Sequence, residues 1–180
     1  EPTLMSPELL QVLEAREARW QRRLALAQGR GRTLVTVTLC LPVAYRTAPE
    51  FLTLAEGLFA RLEGLFLAQE IPCRREEPLN GADGPALFLT VQAPAQQVKR
   101  LCVEAEERLP GGRMLDIDVM DGEGTPVDRN ALGLPPRRCF VCQQPAAACV
   151  ARKIHTREEI DAQVEALRRA ALEGLEETAP

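Results

Sequence analysis

The order of hydrophobic and polar residues predicts a chain of alternating helices and strands. The first helix begins at Ser6-Pro7-Glu8, where a capping side chain precedes a proline at the first helical position. Apolar residues then recur at spacings of four and seven, which predicts an amphipathic helix with this stripe turned inward and a charged face outward. The stripe consists of Leu9, Leu13, Trp20 and Leu24. The charged face includes Arg16, Arg19, Arg22 and Arg23.

Residues at a period of two predict four strands, and residues at helical spacing predict two helices between them. The predicted strands are 34–41, 71–76, 86–91 and 113–120. The first of the two helices begins at a capping box formed by Thr47 and Glu50, and the second covers 94–109. Turn signals at Asn80-Gly81 and Asp83-Gly84 separate the second strand from the third.

This order of elements predicts an α+β fold with a ferredoxin-like βαββαβ antiparallel sheet as its core. We expect a single domain over 1–180, because the chain has 180 residues and no internal repeat. Its predicted parts are an N-terminal helix (1–32), the α+β core (33–121), an arm rich in Pro, Arg and Cys (122–155) and a C-terminal helix (156–180). Thr156 and Glu159 form a capping box for that last helix.

Composition narrows the range of functions. Acidic residues outnumber basic ones by 26 to 22, for a net charge of −4, whereas nucleic-acid-binding proteins normally carry a basic excess. The sequence shows no apolar stretch long enough to span a membrane and no secretory signal. We therefore expect a cytoplasmic protein that binds neither nucleic acid nor a membrane.

The segment with the most chemical information is the predicted strand that carries Asp116 and Asp118. Residues two apart on a strand project from the same face, so the two carboxylates are expected to be neighbours and to repel each other. A divalent cation bound by both would offset the repulsion, and Mg²⁺ prefers a few carboxylates together with phosphate oxygens. The alternative is a solvated strand face with two ordinary aspartates.

Basic residues in the arm that follows this predicted strand suggest phosphate binding. Arg137 and Arg138 follow two prolines that hold the backbone extended, and their guanidinium groups suit a polyphosphate. Arg152 and Lys153 add two positive charges, and Gly112 allows backbone amides to approach a phosphate. For the arginine pair alone, a solvated basic loop is the alternative.

A cluster of soft ligands follows the arginine pair. Cys139, Cys142, Cys149 and His155 supply three thiols and an imidazole, a donor set that suits tetrahedral Zn²⁺. The first pair has the usual spacing of a zinc knuckle, while the later ligands are spaced more loosely. A disulfide and free thiols in a tight turn are the alternatives.

Three stretches of the sequence resemble a known enzyme family. They are Arg113-Met114-Leu115-Asp116-Ile117-Asp118-Val119, Leu134-Pro135-Pro136-Arg137-Arg138-Cys139-Phe140-Val141-Cys142 and Cys149-Val150-Ala151-Arg152-Lys153-Ile154-His155. They resemble the apo-citrate lyase phosphoribosyl-dephospho-CoA transferases, which are also called holo-citrate lyase acyl carrier protein synthases. The opening helix is similar to that family's as well, so the resemblance spans nearly the whole chain.

The resemblance implies a specific phosphoryl transfer. The donor would be 2′-(5″-triphosphoribosyl)-3′-dephospho-CoA, and the acceptor would be a serine of the apo acyl carrier subunit of citrate lyase. Diphosphate would leave, with Asp116 and Asp118 binding Mg²⁺ and Arg113, Arg137 and Arg138 binding phosphate oxygens. Two alternatives stay open at this point: the equivalent transferase for malonate decarboxylase, and a zinc-knuckle adaptor without catalysis.

Overall fold

The computed structural model describes residues 5–29 and 31–178, so the two ends of the predicted domain and residue 30 lie outside the described residues. The helices are α1 (Pro7–Leu26), α2 (Val43–Arg46), α3 (Pro49–Ala68), α4 (Ala95–Arg108), α5 (Ala146–Arg152) and α6 (Arg157–Glu176). The strands are β1 (Thr33–Leu39), β2 (Cys73–Arg75), β3 (Leu79–Gly81), β4 (Gly84–Val91) and β5 (Leu115–Met120). This mixture confirms the α+β class. None of the described helices is both long and apolar enough to cross a membrane.

The strands form an antiparallel sheet in which β2, β4, β1 and β5 lie side by side in that order, and β3 pairs with β4. In the described chain β5 is therefore an edge strand, with β1 as its neighbour. Thr36 of β1 lies opposite Asp118 of β5, and Thr38 lies opposite Asp116. Residues that face each other across two strands project from the same side, so both pairs lie on one face of the sheet.

The other face of the sheet holds the main hydrophobic core. Its strand residues alternate as predicted, and on β5 Leu115, Ile117 and Val119 are buried. The apolar sides of α3 and α4 cover this face, because both helices contribute buried residues to the same cluster. α6 packs against α3 and buries the predicted residues Val164 and Leu167.

α1 lies against the face that carries the aspartates, and the prediction of which side it buries was wrong. Leu9 and Leu13, expected to face inward, are 49% and 40% exposed. The half-buried positions instead include Arg19, Arg22 and Arg23, which were predicted to face solvent. Only at its C-terminal end does α1 add apolar packing, through a small cluster of Leu26, Ala27, Leu34, Ala86, Phe88 and Met120.

The reason for this orientation is Asp83, in the turn between β3 and β4. Its buried carboxylate accepts hydrogen bonds from Arg19 at 2.9 Å, from Arg16 at 3.3 Å and from Arg46 of α2 at 2.6 Å. Burial alone would raise the pKa of Asp83, but the hydrogen bonds from Arg19 and Arg16 outweigh it and lower the pKa. A buried carboxylate must be paired, so Arg16 and Arg19 of α1 turn toward Asp83, and Leu9 and Leu13 face outward.

Two of the three predicted helix caps are confirmed. Ser6 caps α1, and Thr156 with Glu159 forms the capping box of α6. The box at Thr47 is wrong: α3 begins after Ala48, because Thr47 ends α2 and its hydroxyl donates to the carbonyl of Val43.

Two local predictions around the strands also need correction. Asn80 and Gly81 were predicted to form a turn, but they lie in β3, and the chain reverses just after them at residues 82–83. The strand predicted from residue 113 begins only at Leu115, after a short 3₁₀-helix over Gly112–Met114.

Candidate active site at the edge strand

The pleat of β5 places Asp116 and Asp118 on one face, as the sequence predicted. Both residues are half-buried, and the side chain of Asp116 is 48% exposed. Burial raises the pKa of Asp118, and the neighbouring Asp116 raises it further, while Arg23 and Lys99 oppose both. Within residues 5–29 and 31–178 no group donates a hydrogen bond to Asp118. A half-buried carboxylate without a donor is well suited to bind a cation.

Arg137 brings the arm to the free edge of β5. Its Nη2 donates to the carbonyls of Leu115 at 2.5 Å and Arg113 at 3.0 Å, and its Nη1 lies 3.4 Å from Asp116 Oδ1. The same Nη2 lies 2.9 Å from the sulfur of Cys40. Because its Nη2 is bound to the carbonyl of Leu115 in β5 and to that of Arg113 just before the strand, Arg137 fixes the arm beside the two aspartates.

Two residues of α4 complete this edge, and the sequence analysis missed both. Lys99 donates to the carbonyl of Ile117 at 2.7 Å, and Glu106 accepts from the N–H of Ile117 at 3.0 Å. Both side chains are buried. Glu106 is also paired with Arg129 at 2.7 Å. The signal in the sequence was their spacing of seven, which places both on one side of α4 with the buried Cys102.

Two adjacent cavities of about 410 and 430 Å³ lie along this edge. Glu106, Arg129 and Arg137 line both. Arg113 and Arg138 line only the first, and Asp116 lines only the second. The structure therefore brings together Asp116 and three of the predicted phosphate-binding arginines around one open region.

Gly111 and Gly112 are both buried, and both let the backbone pack closely against neighbouring helices. A Cβ at Gly112 would lie 2.4 Å from the carbonyl oxygen of Ala105, and one at Gly111 would lie 2.5 Å from the Cβ of Ala171. Gly111 also has a φ of +77°, a conformation that favours glycine. The pair thus lets the chain pass between α4 and α6, and the phosphate contact of Gly112 stays a prediction.

Arg152 and Lys153 lie further along the arm. Arg152 ends α5, Lys153 follows it in the left-handed conformation, and both are exposed. Lys153 lines a third cavity of about 360 Å³, together with Cys139 and His155. That cavity shares no lining residue with the two beside β5, so a role of these two residues at the donor phosphates stays a prediction.

The predicted soft ligands do come together. The ligand atoms of Cys139, Cys142, Cys149 and His155 all lie within 4.8 Å of one another. Cys139 Sγ is 3.4 Å from His155 Nε2, and Cys142 Sγ is 3.5 Å from Cys149 Sγ. Tetrahedral Zn²⁺ with Zn–S bonds of about 2.3 Å places its ligand atoms roughly 3.8 Å apart, so this donor set fits zinc. At 3.5 Å the two sulfurs are too far apart for a disulfide bond.

The thiol of Cys139 is prepared to act as a thiolate. Although burial would raise its pKa, hydrogen bonds from the backbone of Cys142 and Val141 lower the pKa of Cys139 to about 7. The thiolate is the form that binds metal. The carbonyl of Cys139 in turn accepts from Arg113 Nη2 at 2.7 Å, which links this cluster to the cavities beside β5.

Comparison with known proteins assigns a family. The model of the apo-citrate lyase phosphoribosyl-dephospho-CoA transferase family, CitX, matches residues 8–171. The chain belongs to this family. A curated relative of that name from Escherichia coli O7:K1 is 32% identical over 164 residues, which cover 89% of this chain and 86% of the relative. Another from Shigella flexneri serotype 5b is 31% identical over 157 residues, covering 87% and 86%.

The CitX match covers the site as well as the fold. It begins within α1 and ends within α6, so it includes the aspartate pair, the arginines of the arm and the Cys/His cluster. A shorter match to the relative of that name from Citrobacter koseri is 40% identical over 94 residues, covering 52% of this chain and 51% of that protein. Membership of the CitX family therefore applies to the described chain as a whole.

Proposed function

We propose that the chain transfers the 2′-(5″-phosphoribosyl)-3′-dephospho-CoA group from its triphosphate precursor to a serine of the apo acyl carrier subunit of citrate lyase. Membership of the CitX family supports this assignment, as do the names of relatives that cover most of the chain. The structural observation that carries it is the pair Asp116 and Asp118 on an edge strand beside cavities lined with arginines. The family names favour citrate lyase over malonate decarboxylase and over a non-catalytic adaptor.

The reaction is a direct displacement at the phosphorus nearest the ribose. The serine oxygen forms a bond to this phosphorus, the bond to the bridging oxygen of diphosphate breaks, and the serine proton leaves to a base or to solvent. Negative charge develops on the leaving diphosphate, so catalysis needs positive groups placed around the phosphates in advance. No covalent intermediate with the protein is required.

The residues beside β5 supply these functions in the proposed mechanism. Asp116 and Asp118 would hold Mg²⁺, which supplies positive charge at the phosphates when bound. The unpaired carboxylate of Asp118 supports this role. Arg113 and Arg138, which line the first cavity, would bind phosphate oxygens of the donor. Arg137 would hold the arm in place through Nη2 and present Nη1 beside Asp116.

We further propose that the Cys/His cluster binds a structural Zn²⁺. Three thiols and one imidazole leave no open position for substrate, which is typical of structural zinc. The first residue of the cluster, Cys139, follows Arg137 by two positions, and its carbonyl accepts a hydrogen bond from Arg113. Zinc would thus fix the part of the arm that carries the phosphate-binding arginines.

We also propose a specific topology for the sheet and a cellular location for the chain. The antiparallel strand order β2-β4-β1-β5 supports a ferredoxin-like core, with β3 as an addition to the hairpin. The family's substrate, a CoA derivative, supports a cytoplasmic location for the chain. The terminal parts and the arm then surround one core as a single domain.

The transferase function is tested with purified protein, Mg²⁺, the triphosphoribosyl donor and the apo acyl carrier subunit. We expect the carrier to gain the mass of the prosthetic group and diphosphate to be released in equal amount. Asp118→Asn should slow the transfer by about a hundredfold or more, because it removes one carboxylate from the proposed cation site. Glu104→Gln, on the exposed side of α4, is the matched control and should transfer normally. If the folded Asp118→Asn protein transfers at the rate of the unsubstituted protein, the cation-site proposal is wrong.

A further inference from the structure

The sheet face under α1 contains buried polar groups that the fold itself leaves without partners. The hydroxyl of Thr36 is buried and has no hydrogen-bond partner among the described residues. The same holds for Nε of Arg23. Unpaired buried polar atoms are costly to stability, so their grouping in one place suggests a ligand that would satisfy them.

These groups lie next to Asp118. Thr36 is the direct neighbour of Asp118 across β1 and β5, and on such pairs the Cβ atoms are about 4.5–5.5 Å apart. Arg23 lies one helical turn before Leu26 and Ala27, which pack near Met120, two residues beyond Asp118 on the same face. Burial lowers the pKa of Arg23, and the carboxylates of Asp118 and Asp116 oppose that shift, which places the Arg23 guanidinium near both carboxylates.

Arg23 differs from the other cations around the aspartates in having its donors free. Lys99 and Arg137 are bound to backbone carbonyls of β5, and Arg129 is paired with Glu106. The side chain of Arg23 makes no hydrogen bond or ion pair with any residue in the described ranges. Its guanidinium carbon lies 5.4 Å from the centre of the Trp20 ring, which packs beside it.

We propose that Arg23 binds a phosphate group of the donor beside Asp118 and that the Thr36 hydroxyl, unpartnered among the described residues, donates a hydrogen bond to the same bound group. This inference rests on the proposed function for the identity of the donor. A guanidinium with free donors matches phosphate oxygens, and a cation bound by Asp118 would bring those oxygens to the same place. Arg23 and Thr36 are thus both binding residues in this proposal, and α1 forms one wall of the site.

The test measures binding of inorganic pyrophosphate in the presence of Mg²⁺ by calorimetry, with the full chain. Arg23→Gln should weaken binding at least tenfold with little change in the melting temperature, because it removes one charged contact to phosphate. Arg100→Gln, an exposed arginine on the outer side of α4, is the matched control and should bind normally. Equal affinity of folded Arg23→Gln and the unsubstituted chain overturns the role of Arg23, as does absence of pyrophosphate binding by the unsubstituted chain.

The role of Thr36 is tested with two substitutions. Thr36→Val removes an unpaired buried hydroxyl at constant shape, so it should raise the melting temperature by about 2–4 °C. It should also weaken Mg²⁺-dependent pyrophosphate binding severalfold, whereas Thr36→Ser should restore binding by restoring the hydroxyl. If Thr36→Val binds Mg²⁺ and pyrophosphate as tightly as the unsubstituted chain, the Thr36 hydroxyl does not contact the bound group.

The outcome separates this inference from the proposed transferase function. Pyrophosphate binding that depends on Arg23, in a chain that does not modify the carrier subunit, supports the phosphate site and overturns the transfer reaction. Normal transfer by Arg23→Gln, with an unchanged KM for the donor, overturns the inference and leaves the transferase function in place.

Discussion

Two carboxylates on this side of the sheet, the buried Asp83 and the half-buried Asp118, have opposite surroundings. Asp83 is surrounded by Arg16, Arg19 and Arg46, and its pKa is lowered. Asp118 has no hydrogen-bond donor among the described residues, and its pKa is raised. Carboxyl groups whose pKa is shifted upward by burial at an open cleft are frequent at functional sites. The first aspartate therefore fixes α1 to the sheet, whereas the surroundings of the second suit the cation-binding role that we propose for it.

The role of Asp83 predicts a loss of stability that depends on pH. Asp83→Asn leaves three arginines without their carboxylate and should destabilise the fold at pH 7 by about 3 kcal/mol, measured by urea unfolding. The pKa of Asp83 is lower in the folded chain, so its contribution is present above the ordinary carboxylate range and disappears as the pH falls through the folded pKa. The difference between the two proteins should therefore shrink towards pH 3. A difference that grows on acidification would contradict this explanation.

At the scale of elements, hydrophobic spacing located the four long helices and four of the strands, but it missed the short elements α2, β3 and α5 and could not orient every helix. The alternation on β5 and the apolar stripe on α6 predicted both where each element lies in the chain and which side of it is buried, because burial of apolar side chains dominates there. The facing of α1 is decided by a carboxylate 64 residues from Arg19 along the chain, and no local pattern reports such a distant partner. The edge contacts of Lys99 and Glu106 were missed for the same reason.

The orientation of α1 predicts an unequal response to leucine truncation. Leu9→Ala and Leu13→Ala should each change stability by less than about 0.5 kcal/mol, because both side chains are largely in solvent. Leu58→Ala, in the buried stripe of α3, should cost about 2–5 kcal/mol. Thermal melting of the three variants under one condition compares them, and a large loss for Leu13→Ala would mean that the stripe is covered.

The arm has little regular structure of its own, so a bound metal should control its order. We expect about one equivalent of zinc in the purified chain and almost none in Cys142→Ser. That variant should also be cleaved faster by a protease within the arm. Cys73→Ser removes a thiol outside the cluster and should keep both the zinc and the protection. If Cys142→Ser retains a full equivalent of zinc, the proposed ligand set is wrong.

At the scale of the whole molecule, α6 joins parts of the chain that are distant in sequence. Its Gly174 carbonyl accepts from Arg61 of α3, and its Asp161 accepts from Tyr45 of α2. Its Ala171 touches the backbone at Gly111, just before β5. The last helix thus fixes the turn that leads into the strand of the aspartates.

Close packing at that turn predicts a strong effect of a single methyl group. Gly111→Ala places a Cβ within 2.5 Å of Ala171 at a positive φ and should destabilise the fold by about 3 kcal/mol. Gly133→Ala also has a positive φ but meets nothing within 4 Å, so it should cost only about 1 kcal/mol. Urea unfolding of both measures the contribution of the close contact, and equal losses would show that backbone conformation alone matters.

The placement of the aspartates on an edge strand has a consequence for how copies of the chain behave at high concentration. An unpaired strand edge is a template on which other chains can add as further strands, leading to fibrous aggregates. Here the amide and carbonyl of Ile117 are already occupied by Glu106 and Lys99, and the carbonyl of Leu115 by Arg137. The side chains that shape the cavities therefore also protect the protein from self-association through this edge, and the proposed active site can stay open to its proposed carrier protein without exposing unpaired backbone groups.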